Sequence, residues 1–128
     1  MKAIFMVSLF VLILLGLSFS LPASAQPAVS INSVRYERLG FYNGLLVNVT
    51  NFLPSTHNLV IFTVWKNSQG ASVAVTTAGL SLPSGGNGVA FAPLLKPFTS
   101  GNYVAFVFVV DTVGNPLSPV STFSLSII

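Results

Sequence analysis

Between Phe98 and Asp111 the chain reads FTSGNYVAFVFVVD, its most continuous apolar stretch beyond the N-terminal segment. β-branched and aromatic residues at this density suit a pleated, packed surface, and polar turn chemistry closes the run at both ends. The stretch predicts a central strand of an antiparallel β-sandwich, and the rest of the chain must supply its partners.

Six further segments do so. From Ala28 to Leu39, Val29 and Ile31 alternate with Ser30 and Asn32 before the apolar phase changes to Val34 and Tyr36. That change predicts a bulge, in an edge strand whose Arg35, Glu37 and Arg38 discourage stray pairing. Phe41 to Phe52 sets Leu45, Val47 and Val49 on one face and Leu46, Asn48 and Thr50 on the other, with Asn43-Gly44 as a kink near its start. Leu59 to Lys66 is apolar on both faces and so reads as central. Asn67-Ser68-Gln69-Gly70 is a hairpin loop leading to a strand around Val73 and Val75, and Leu80 to Gly88 reads as turn chemistry. Val89 to Ala92 and Val120 to Ile128 complete the set. No helix and no fixed-period repeat follows the N-terminal segment, so the fold class is all-β, a seven-stranded antiparallel sandwich.

The N-terminal segment is a separate unit. Lys2, the apolar run Ile4 to Phe19 and the small residues Ala23-Ser24-Ala25 before Gln26 have the order of a signal peptide, a hydrophobic helix ahead of its cleavage site. Residues 1–25 are assigned to it and residues 26–128 to the sandwich. An uncleaved membrane anchor is the alternative, because Ala3 to Phe19 reaches the short edge of the ~17–25 residues that span a bilayer. The chain is thus expected to be secreted or displayed on the cell surface, with membrane contact only through residues 3–19, if they are retained.

The inventory of reactive groups excludes more than it suggests. Charged residues make up 5% of the chain, where a soluble domain carries roughly 25%. Cysteine is absent, which removes disulfides, thiolate metal sites and a thiol nucleophile. Beyond Lys2 the charges are Arg35, Arg38, Lys66 and Lys96 against Glu37 and Asp111, too sparse for a phosphate-tracking stripe, so nucleic acid is not an expected partner. His57 and Asp111 could be drawn into a triad with some serine, yet no nucleophile-elbow motif is present; they read as a loop histidine and a turn-initiating aspartate. One histidine and two separated carboxylates do not furnish a metal site, and Gly85-Gly86-Asn87-Gly88 lacks the helix that a phosphate cradle needs. The expectation is no enzyme, no metal and no cofactor. Asn48-Val49-Thr50 is an N-glycosylation acceptor whose Asn48 and Thr50 point away from the core.

Leu95, Lys96 and Pro97, then Gly101, Asn102 and Tyr103, then alternating Ala105, Val107 and Val109, then Gly114 and Ser118-Pro119, resemble the last third of a fibronectin type III or related immunoglobulin-like domain. The resemblance implies a tyrosine corner, in which Tyr103 hydrogen-bonds to the chain just upstream. Trp65 falls on the third strand, where an immunoglobulin domain places its tryptophan, but without the cysteine pair, and the second strand lacks the tryptophan of fibronectin-type domains. The subfamily stays open. Scarce charge, export and the glycosylation tripeptide also resemble small archaeal cell-surface proteins.

If Tyr103 faces inward, then Val104, Phe106, Phe108 and Val110 project outward, and Val60, Phe62 and Val64 of the neighbouring third strand form a similar row. An exposed patch of this composition calls for a cover. The leading expectation is a non-catalytic immunoglobulin-like module that works by protein contact or envelope assembly, through this apolar face or a strand edge. The alternatives are a pilus-like subunit polymerising by strand donation and, more remotely, a carbohydrate-binding or hydrolase accessory domain.

Overall fold

The computed structural model describes residues 27–128, so the signal peptide or anchor assigned to residues 1–25 lies outside the described residues. Seven strands follow one another: β1 (Val29–Leu39), β2 (Tyr42–Asn51), β3 (His57–Asn67), β4 (Ser72–Leu82), β5 (Asn87–Pro93), β6 (Gly101–Val110) and β7 (Ser121–Ile127). They form two sheets, β1-β2-β5 and β4-β3-β6-β7, with every pairing antiparallel. The two strands with apolar residues on both faces, β3 and β6, pair with each other at the centre of the larger sheet. Sequence alternation thus carries directly into position in the sheet.

The core lies between the sheets. Leu45, Val47 and Val49 of β2 face Leu59, Ile61 and Trp65 of β3 and Ala105, Val107 and Val109 of β6, all fully or almost fully buried. Trp65 meets Phe98 edge-on at 5.2 Å and Phe123 at 6.5 Å, so one ring joins three parts of the chain. The phase change in β1 is a register shift between Ile31 and Ser33. It leaves Asn32 as the extra residue and returns Val34 and Tyr36 to the core side.

Three boundaries differ from the sequence reading. β4 runs on to Leu82, whereas the composition of Leu80 to Gly88 predicts a turn. Gly79 and Ser81 lie on the exposed face of that strand while Leu80 and Leu82 continue the inward row of Ala74, Thr76 and Ala78. Small residues on a solvated edge imitate turn chemistry. Likewise Asn87 and Gly88 open β5 and are not part of a loop, and His57 is the first residue of β3, paired with Leu82. Gly44 does not kink β2. It sits in regular register between Glu37 and Pro93, and a side chain there would collide with the Ala92 carbonyl and Pro93, so glycine is needed for the close approach of β5.

Candidate functional site

The outer face of the larger sheet is built by strand alternation. Opposite Trp65, Thr63 and Ile61, the other row of β3 carries Val60, Phe62 and Val64, which register against Val110, Phe108 and Phe106 of β6. Phe62 and Phe108 stack with centroids 5.6 Å apart and planes 5° from parallel. The stripe is flanked by Thr77 and Gly79 of β4 and by Thr122 and Ser124 of β7. Val60, Phe62, Val64, Val104, Phe106 and Phe108 are half-buried against one another. Val110 is a correction: it is buried, because Val60 covers one side and the β6–β7 connection returns to bridge it through Pro116 on the other. Val73 and Val75 of the edge strand β4 are more exposed than any residue of the expected stripe.

Tyr103 faces the core, its ring stacked on Phe98 at 4.2 Å, and its hydroxyl donates to the Thr99 carbonyl at 2.9 Å. This fixes the chain where it crosses into β6. Tyr103→Phe keeps the stacking and removes the hydrogen bond, so a loss of about 1 kcal/mol in unfolding free energy is expected by denaturant titration.

On the outer face of the smaller sheet, Asn48 lies in an amide ladder. Its Oδ1 accepts from Asn32 Nδ2 at 2.9 Å and from Asn87 Nδ2 at 3.0 Å, and Thr50 Oγ1 accepts from the same two amides at 2.7 and 2.9 Å. The bulge at Asn32 is what carries that side chain over its neighbours. Asn48 Nδ2 makes only a 3.4 Å contact, to Asn87 Oδ1.

His57 and Asp111 serve local structure. The imidazole Nδ1 lies 3.0 Å from the Ser55 carbonyl. Asp111 Oδ1 accepts from the Val113 and Asn115 amides and Oδ2 from Asn115 Nδ2, closing the turn after β6. The Asn115 backbone amide first, and its side chain next, hold the Asp111 carboxyl below its usual pKa. A depressed folded-state value stabilises the turn above the unfolded pKa and ceases to do so as pH falls through the folded one. Protection of the Val113 and Asn115 amides, taken relative to the intrinsic exchange rate at each pH, is therefore expected to fall on acidification below the ordinary aspartate range, while protection in β2 does not change over the same interval. Among the described residues no three His, Cys, Asp or Glu side chains group to hold a metal, and no helix is long and apolar enough to cross a membrane.

The segment from Leu94 to Phe98 divides two clefts at one pole of the sandwich. One, about 460 Å³, lies between this segment and Val73–Thr76 of β4; the other, about 620 Å³, lies between it, the β1–β2 hairpin and the end of β7. Tyr36 lines the second, and partial burial pushes its phenol pKa up. Phe41 and Leu95, both strongly exposed, stand at this pole and were not singled out from the sequence. The signal for Phe41 was its place beside Gly40 at a hairpin tip, where a large apolar residue has no folding role.

No protein-family model matches the chain, nor does any curated protein sequence. Among solved structures it is similar to a Bacteroides uniformis β-glucuronidase (17% identity, TM-score 0.53), over 77% of this chain and 12% of that one. A β-glucuronidase from glycoside hydrolase family 2 matches at 15% identity and TM-score 0.52, over 74% of this chain and 11% of that one. The Pseudomonas fluorescens alkylpurine DNA glycosylase AlkC, bound to DNA containing an abasic site analog, matches at 19% identity and TM-score 0.56, over 91% and 33%. The chain spans a third or less of each of these proteins, and at such identities the shared property is the fold: a β-sandwich of two antiparallel sheets.

Proposed function

We propose that the protein is a non-catalytic, secreted or cell-surface immunoglobulin-like module that acts through protein contact or assembly at the envelope. The observation that carries this reading is the Phe62–Phe108 stack and its apolar stripe on the outer face of the larger sheet. Within one sandwich, the outer rows of two central strands need not be Val and Phe; an occupant on that face gives them a use. The adjoining edge strand β4 has 11 residues without charge or proline, so it too is open to strand pairing. β4 pairs with β3, away from the β1-β2-β5 sheet it would join in a constant-type immunoglobulin domain, which favours the fibronectin type III-like member of the resemblance. The strand-donation reading needs a strand to be missing, whereas all seven described strands pair within the chain.

Phe106→Ser combined with Phe108→Ser tests the reading. The expected outcome is a folded domain, destabilised by roughly 1 kcal/mol per site, that no longer sediments with envelopes of the producing cell. Retained sedimentation would remove the face from the account.

Asn48 is proposed as a glycan acceptor on the outer face of the smaller sheet, away from the apolar stripe. The ladder uses its oxygen twice and its nitrogen weakly, so a sugar on Nδ2 leaves both 2.9–3.0 Å bonds in place. Intact mass of protein from its own cells should fall by the glycan mass in Asn48→Gln. A carbohydrate-binding accessory role is the second reading, favoured by the amide platform of Asn32, Asn48 and Asn87. Glycan-array binding lost in Asn87→Ala would support it.

A further inference from the structure

The pole bearing Phe41 and Leu95 is built in a way that core packing does not explain. β1 and β2 are joined by Gly40 and Phe41 alone, Leu39 pairing with Tyr42 on either side, and Gly40 adopts φ 62° to close the turn. Such two-residue loops favour Gly, Asn or Asp. Here the second position is a phenylalanine that is 94% exposed, flanked by the exposed Leu39 and Tyr42. Across the neighbouring cleft, Leu94 and Phe98 turn inward and anchor their segment, which forces Leu95 out to 75% exposure. The Leu94 amide donates to the Asn43 carbonyl at 2.8 Å, which ties the segment to the hairpin and sets the two apolar tips, Phe41 and Leu95, around one cleft.

Each tip carries a cation. Arg38 Nε donates to the Gly40 carbonyl at 3.1 Å, beside Phe41, and Lys96 follows Leu95 directly. The two acids of the chain do not oppose them: Glu37 lies 3.8 Å from Arg35, and Asp111 follows the far end of β6, at the other pole. Exposed apolar tips with adjacent cations, Glu37 being turned to Arg35, complement a surface that is anionic at the headgroup and apolar beneath it.

We infer that this pole docks on an anionic lipid surface, with Phe41 and Leu95 entering the interface and Arg38 and Lys96 at headgroup level. This surface is distinct from the outer face of the larger sheet. The chain has no cysteine, so a single one can report the contact in the whole protein, whatever its N-terminal segment does. An environment-sensitive fluorophore is placed at Leu95→Cys, or at Val113→Cys on the opposite pole, and phosphatidylcholine vesicles with or without phosphatidylglycerol are added.

The expected result is a blue shift at position 95 with the anionic vesicles only, diminished by salt, and no shift at position 113. Phe41→Ser, whose fold is protected by the residue's exposure, should weaken the apparent affinity by about tenfold or more. No shift at 95, an equal shift at 113, or unchanged affinity in Phe41→Ser would each overturn the inference. Phe106→Ser with Phe108→Ser leaves the shift intact, so failure here and failure of the sheet-face reading are separable.

Discussion

Trp65→Ala is expected to lower the unfolding free energy by about 3–5 kcal/mol, a large share of the roughly 5–15 kcal/mol that holds a domain of this kind together. The ring is fully buried and stands edge-on to Phe98 and Phe123, so its removal opens a cavity bounded by the β5–β6 connection and by β7 at once. Chemical denaturation monitored by circular dichroism checks the value. Trp65→Phe refines the test: the indole Nε1 is buried without a hydrogen-bond partner, so losing it removes an uncompensated polar group. The phenylalanine variant should be destabilised by the smaller ring volume alone.

The second large effect concerns Asn51, a fully buried polar residue at the end of β2. Its Nδ2 donates to the carbonyls of Leu82, Ser55 and Pro83 at 3.0, 3.1 and 3.2 Å, and its Oδ1 accepts from the Leu53 amide at 2.9 Å. One side chain therefore holds the β2–β3 connection against the β4–β5 turn. Asn51→Leu keeps the branching and heavy-atom count of the side chain, though its methyl groups are larger, and leaves those backbone groups without their partner, which is expected to cost roughly 3 kcal/mol. Asn51→Asp keeps the acceptor for Leu53 but sets a carboxylate against three carbonyls. It should be at least as destabilising at neutral pH, read by the same titration.

Asn51 also marks where sequence reading ends. An asparagine closing a strand resembles any turn residue; its partners Ser55, Leu82 and Pro83 are assembled by the fold, and nothing local announces them. The opposite case is β6, whose alternation of Tyr103, Ala105, Val107 and Val109 with Val104, Phe106 and Phe108 correctly separates core from outer face, because period-2 patterning is a property of the strand itself. The same logic misplaces Val110, which lies in the outer row but is covered by a connection that alternation does not describe. At the β4–β5 turn, Gly79 and Ser81 have turn-like composition, and only pairing with Val60 and Asn58 makes them strand. The exposure of Phe41 and Leu95 was similarly invisible. A turn residue and a residue between two inward anchors acquire their direction from the folded backbone, not from their neighbours in sequence.

The central claim, that the outer face of the larger sheet is occupied in the native setting, is tested most directly by hydroxyl-radical footprinting of the protein on its own cells and after purification. Oxidation of Phe62, Phe106 and Phe108 should be suppressed on the cells and restored in the purified protein, while Phe91 on the smaller sheet is modified equally in both. Equal modification of Phe62, Phe106 and Phe108 in the two preparations would contradict the account.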